Sequence, residues 1–211
     1  IDGLSGLWNV VAGHSRGELA EVAAKQMRTL PYCAGYSGSS NTPAVELAER
    51  LAAMTYPSIN RFFFTSGGGE SADSCFKTAR YYWKQKDKPN KTKVISRQWG
   101  YHGVTLAAMS ATGIASYWPM FEPRVPGFLH IPSPYPYRYE IPSDEPAETS
   151  QGVAAANELE KAILREGPNT VAMFLAEPVQ GAGGVIVPQD DYFPRIREIC
   201  EQYDVLLVSD E

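Results

Sequence analysis

The chain has 211 residues, 44% of them hydrophobic and 20% charged, a globular composition with room for one sizeable core. Its formal net charge of -5 leaves no basic footprint for nucleic acid, and no apolar run approaches the roughly 18 residues that cross a bilayer. Three widely separated cysteines, Cys33, Cys75 and Cys200, make neither a metal cluster nor an even disulfide set, so a reduced, cytoplasmic compartment is expected.

Residues 1–12, apolar around Leu4, Leu7, Trp8 and Val10 and spaced by glycine, predict a short hairpin or extended segment. Ser15, with Glu18 three residues on, has the pattern of a capping box. The helix it opens runs to about residue 30, with Leu19, Val22, Ala23 and Met27 on one face. Aromatics, glycines and serines over residues 31–41 predict a loop. Thr42-Pro43 then opens a second helix with Ala44, Leu47, Ala48 and Leu51 inward, ending at Tyr56-Pro57. Residues 1–41 are expected to form an N-terminal segment packed against a larger domain over residues 42–211.

Beyond residue 60 the pattern becomes strand, crossover helix, strand. Strands are expected at residues 61–65, 93–97, 128–131, 171–176 and 205–208. Helices are expected at 70–85 (Phe76, Ala79, Tyr82 and Trp83 packing), 104–111, 151–166 and 191–203 (Phe193, Ile196, Ile199 and Cys200 inward). The lysine-rich run over residues 84–91 reads as a solvated turn. Residues 118–146 hold eight prolines and many aromatics, which predicts ordered irregular chain near a site or a subunit interface. The strand segments are apolar throughout rather than alternating, as parallel strands covered on both faces require. The fold class is therefore α/β with a mostly parallel central sheet flanked by helices. The start without methionine and the stop directly after an apolar strand lead us to expect a fragment, with further sequence on both sides.

In open α/β sheets ligands lie beyond the carboxyl ends of the strands. Gly67-Gly68-Gly69 sits between an expected strand and a helix, where backbone amides and the positive helix end suit a phosphate. It is neither G-x-G-x-x-G nor G-K-[ST], and alone it equally fits a packing connector. Glu177 opens the turn Glu177-Pro178-Val179-Gln180-Gly181-Ala182-Gly183-Gly184, and Asp210 follows the last strand. A carboxylate in either place wants a cationic partner, although Asp210 alone also fits a helix cap. Tyr101 fits a ring exposed for stacking or a core filler, and His102 a structural histidine or a catalyst. His14 and His130 read as structural. The histidines lack metal-ligand spacing, so no metal site is expected, and there is no G-x-S-x-G elbow.

Gly6-Leu7-Trp8, residues 64–73, Tyr101-His102-Gly103, the 177–184 turn and Ser209-Asp210-Glu211 together, in this order, resemble the class III pyridoxal-phosphate-dependent aminotransferases, the omega-amino acid and amine transaminases of PLP fold type I. The resemblance covers essentially the whole chain. It implies the aspartate aminotransferase-like large domain and pyridoxal 5'-phosphate as cofactor. Gly68 and Gly69 would bind the cofactor phosphate, with glycine at position 69 where the family commonly has serine. Tyr101 would stack on the pyridine ring with His102 behind it, and Asp210 would pair with the ring nitrogen. Glu177 would stand beside Asp210 with Gln180 close by, and Trp8 would wall the substrate pocket. Ala182 stands where some ornithine-type relatives carry glutamate, which disfavours that subgroup and favours amine or omega-amino acid donors; the resemblance further implies a 2-oxo acid acceptor such as pyruvate.

The resemblance also implies a homodimer or dimer of dimers, and a Schiff-base lysine after the aspartate. No lysine follows Lys161, so that lysine is expected outside the chain and these 211 residues are expected to be inactive alone. The alternatives are an aminomutase or decarboxylase on the same cofactor cradle, a dinucleotide-binding oxidoreductase, or a non-catalytic module.

Overall fold

A computed structural model describes residues 1–36 and 38–211; Ser37, within the loop expected at 31–41, lies outside the described residues. The chain divides into two compact units, Ile1–Phe63 and Phe64–Glu211.

The first unit holds α1 (Ser5–Trp8), α2 (Gly17–Thr29) and α3 (Thr42–Met54). No hairpin forms over residues 1–12. Ser5, Gly6, Leu7 and Trp8 all have positive φ, so α1 is a left-handed turn, held by the Asp2 carboxylate, which accepts from the amides of Leu4 (3.1 Å) and Gly6 (2.7 Å). The capping box at Ser15 is also absent, because the Glu18 carboxylate is drawn to the Arg16 guanidinium instead of an N-terminal amide. The expected inner face of α2 remains exposed at Leu19, Val22 and Met27. At α3 the cap is Asn41, whose side chain accepts from the Ala44 amide at 3.0 Å, while Pro43 occupies the first turn.

Residues 61–65 form no strand. Among the described residues, sheet hydrogen bonds link only the four strands described next, and Phe63 is left exposed. In the second unit, α4 (Gly68–Gln85) starts inside the glycine turn, two residues before the expected position. Strands β1 (Lys93–Arg97), β2 (Phe128–Ile131), β3 (Val171–Ala176) and β4 (Leu206–Ser209) lie in the order β2-β1-β3-β4, every pair parallel. All six residues of β3 are buried, because helices cover both faces. On one face Val94, Met173 and Leu175 meet Ala72, Phe76 and Ala79 of α4 and Ala108 and Ala111 of α5 (Leu106–Ala111). On the other, Ile95, Ile131 and Phe174 meet Leu159 and Ile163 of α7 (Gln151–Glu166) and Ile196 and Ile199 of α8 (Tyr192–Gln202). Each fully buried valine, leucine, isoleucine, methionine or phenylalanine among them contributes on the order of 1.5–3 kcal/mol, which fixes both helix layers to the sheet.

The proline-rich stretch is ordered by its aromatics. After a 3-10 turn (Ala115–Tyr117), α6 (Trp118–Phe121) presents Trp118, whose indole N–H donates to the Thr112 carbonyl at 2.9 Å. Its ring packs on His130 at 5.0 Å, with the Arg124 guanidinium 3.9 Å from its centroid. Lys91 departs from the solvated turn expected over residues 84–91. Its ammonium is buried, donating to the carbonyls of Val171 (3.1 Å), Tyr203 (3.0 Å) and Asp204 (2.7 Å) beneath the Trp83 ring. That bond set ties the amino ends of β3 and β4 together.

His130 gives the fold an acid sensitivity. Burial is the main cause holding its pKa at about 4, and its Nε2–H donates to the Ala111 carbonyl at 3.1 Å. As pH falls, the unfolded chain binds this proton first, so stability present above about pH 6.5 is lost toward pH 4, by about 3 kcal/mol. His130→Phe keeps an aromatic contact with Trp118 and should abolish that part of the loss. Urea unfolding at pH 7 and pH 4 checks it: identical pH slopes for the two proteins would place the sensitivity elsewhere.

Candidate active site at the carboxyl ends of the strands

β1 and β3 are parallel neighbours although β2 lies between them in the chain, so the strand order reverses at their junction. A crevice outside the carboxyl ends at such a junction is the usual ligand position in open α/β sheets. Three segments meet here: the N-terminus of α4, the loop 98–103 after β1, and the turn 177–184 after β3.

The loop after β1 is held by its main chain. The Gln98 amide donates to the Ile131 carbonyl (2.8 Å), Trp99 to Gly113 (3.0 Å), Gly100 to Arg97 (3.1 Å), and Gly113 back to Gly100 (2.8 Å). The His102 amide donates to the Thr112 hydroxyl at 2.9 Å. Gly113 admits no side chain, since a Cβ there would lie 2.0 Å from the Arg97 carbonyl oxygen.

Asp210 extends β4 by donating its amide to the Ala176 carbonyl at 3.0 Å. Its Oδ2 meets His102 Nδ1 at 2.7 Å. The histidine side chain is 1% exposed and the carboxylate 29%, so the buried imidazole holds a carboxylate that still reaches the rim. With Nδ1–H donating, the neutral tautomer leaves Nε2 unprotonated.

At α4 the first intrahelical bond runs from the Ser71 amide to the Gly67 carbonyl at 3.0 Å, so the amides ahead of Ser71 have no intrahelical partner. Glu70 is drawn aside: its Oε2 accepts from the Ser66 amide at 2.8 Å and from the Ser66 hydroxyl. Those bonds, the hydroxyl first, hold the Glu70 carboxyl below its usual range. Gly103, at φ +121°, brings the loop against this helix end, and a Cβ on it would lie 2.7 Å from the Gly69 Cα.

Tyr101 is 38% exposed, and its amide donates to Glu177 Oε1 at 3.0 Å. Glu177 Oε2 accepts from the Gly181 amide at 2.8 Å, and its carbonyl accepts from the buried Arg97 guanidinium. Gln180 is fully buried; its carbonyl oxygen accepts from the Ser133 hydroxyl (2.5 Å) and its NH₂ donates to the Gln98 carbonyl (2.8 Å).

The structure thus gathers Gly68, Gly69, Tyr101, His102, Glu177, Gln180 and Asp210 along one contiguous set of contacts. Trp8 lies in the other compact unit, 52% exposed. Sequence reasoning missed Arg97, Thr112, Ser133 and Gly113. A charge closing an apolar strand was the available signal for Arg97; the others act through local contacts that no pattern announces. Chemically, the crevice offers amides for an anion, a carboxylate for a cation and an aromatic ring near both.

The family profile for aminotransferase class-III matches residues 1–211. A putrescine–pyruvate aminotransferase of Pseudomonas aeruginosa is 44% identical over 211 residues, 100% of this chain and 46% of that protein. An (S)-enantioselective omega-transaminase from Thermomicrobium roseum matches in structure with a TM-score of 0.91 at 44% identity, over 99% of this chain and 46% of that one. A PMP-bound aminotransferase from Vibrio fluvialis matches with a TM-score of 0.87 at 37% identity, over 98% of this chain and 45% of that one. The chain spans less than half the length of the curated relatives it matches.

The contact of Gly103 with Gly69 can be tested directly. Gly103→Ala places a methyl against backbone at a φ that side chains avoid, and should cost about 2 kcal/mol. Chemical denaturation checks this; a midpoint equal to wild type would mean the two segments are not held in contact.

Proposed function

We propose, from the premise that the chain belongs to the class III aminotransferases, that its crevice binds pyridoxal 5'-phosphate. The protein of which it is part would transfer an amino group from an amine or omega-amino acid to a 2-oxo acid such as pyruvate. The single observation that carries this reading is the Asp210–His102 pair, a rim carboxylate held by a buried imidazole at 2.7 Å, beside the free amides of the α4 N-terminus.

The residues present fit the cofactor. A carboxylate so placed favours a protonated pyridine nitrogen, the amides of Gly68 and Gly69 suit a phosphate, and the half-exposed Tyr101 ring offers a face for stacking. When bound, the cofactor supplies an electron sink for a substrate that loses a proton from the carbon bearing its amino group. Asp210 would pair with the ring nitrogen and favour its protonated form. His102, fixed through its amide to Thr112, holds the Asp210 carboxylate in one orientation. Tyr101 and the amides of Gly68 and Gly69 would hold the cofactor ring and phosphate, and so orient the substrate for proton transfer.

Several parts of the reading lie outside these contacts. Trp8 is proposed as a substrate-pocket residue on the family resemblance alone, and Ala182, where some ornithine-type relatives carry glutamate, is proposed to favour amine or omega-amino acid donors. The reaction needs a lysine, which the reading places outside the 211 residues. Lys91 is caged at the amino ends of the strands, Lys93 pairs with Glu166 at 3.0 Å, and Lys161 is shared by Asp144, Glu145 and Glu158. On that reading the 211 residues alone are proposed to be inactive. The working protein is proposed to be a homodimer or dimer of dimers in a reducing, cytoplasmic compartment, where its cysteines stay free. No described helix is long and apolar enough to cross a membrane.

In the full-length protein, Asp210→Asn should retain the fold and bound cofactor while kcat and kcat/KM fall together by at least about a hundredfold, roughly 2.7 kcal/mol. Steady-state assays of cofactor-loaded protein with amine donors and pyruvate check this. Turnover within a few fold of wild type would remove Asp210 from its assigned role.

A further inference from the structure

Glu177 and Gln180 have no unengaged polar head. Both carboxylate oxygens of Glu177 accept main-chain amides, from Tyr101 (3.0 Å) and Gly181 (2.8 Å). Both ends of the Gln180 carboxamide are taken, by the Ser133 hydroxyl (2.5 Å) and the Gln98 carbonyl (2.8 Å). The pattern is reciprocal: residues 177 and 180 grip residues 101 and 98 in opposite chain order. The two segments also touch, since a Cβ on Gly183 would lie 2.3 Å from the Trp99 carbonyl oxygen.

The gripped loop needs external support. Trp99 stands at φ +66°, a conformation that a bulky residue keeps only when its surroundings over-determine it. The gripping turn is itself rigid: the Gln180 amide donates to the Ile186 carbonyl (3.1 Å), the Ile186 amide donates back (3.0 Å), and Arg97 fixes the Glu177 carbonyl from below. Gln180, entirely buried with every polar group satisfied, is the form in which a polar network confers rigidity.

We propose that Glu177 and Gln180 are positioning residues, a two-headed splint that fixes the Tyr101 loop by its main chain and acts on the cofactor only through the tyrosine ring. The proposal rests on the reading that the crevice binds pyridoxal phosphate with Tyr101 against its ring. Ser133, from the proline-rich stretch, backs the splint by orienting the Gln180 carboxamide.

A double-mutant cycle on the full-length protein tests it, with cofactor affinity measured by equilibrium titration of pyridoxal phosphate. Gln180→Ala should weaken binding about tenfold in the wild-type background, within the usual range of coupling between contacting residues. In the Tyr101→Ala background it should weaken binding less than about twofold, because the ring through which it acts is gone. Amide exchange at residues 99–101 should rise in Gln180→Ala while β3 stays protected. Ser133→Ala, which leaves the Gln98 bond in place, should weaken binding less than Gln180→Ala. If Gln180→Ala fails to fold, Glu177→Gln enters the same cycle with the same expectations. Equal losses in both backgrounds, or unchanged exchange at residues 99–101, would overturn the splint. Wild-type protein that does not bind pyridoxal phosphate would overturn the cofactor reading instead, and the exchange measurement would then decide the splint alone.

Discussion

β1 and β3 run side by side in the same direction, so the chain leaves both at one rim, with main chain that must find hydrogen bonds there. Almost everything at the rim follows from how that demand is met. The loop after β1 turns back on Arg97, pairs with Gly113, bonds Ile131 and Thr112, and takes further partners from side chains of the turn after β3. Glycines at positions 103, 113 and 183 allow the segments to approach at distances no side chain would permit. The result is a backbone-built cradle into which only a few side chains project.

The sheet and its covering helices were legible because burial on both faces leaves a coarse signal. The apolar runs at residues 93–97, 128–131 and 171–176 correspond to strands with those bounds, and the expected helix over residues 151–166 is α7. Residues that follow such strands could be named as site candidates, since position at a strand end does not depend on contact details. Tyr101, His102, Glu177 and Asp210 came forward that way, and the structure places them on connected segments.

What could not be read depended on competition between local partners. Ser15 and Glu18 have the spacing of a capping box, yet a neighbouring guanidinium offers Glu18 a charged partner, and that stronger bond prevails. Residues 61–65 are apolar enough for a strand, but a strand exists only where another edge receives it, and a one-dimensional pattern does not report edges. Lys91 sits in a run of lysines that reads as a solvated turn, while three converging carbonyls and an indole ring make burial favourable for that one member.

The Lys91 cage has a chemical corollary. An amine whose hydrogens all point at carbonyl oxygens, under an aromatic lid, is shielded from acylating reagents for as long as the strand ends stay together. The exposed lysines on α4 and in the loops carry no such shield. Selective late labelling of Lys91 would therefore mark the moment the sheet opens at its amino end, giving a covalent clock for unfolding at the pole opposite the cradle.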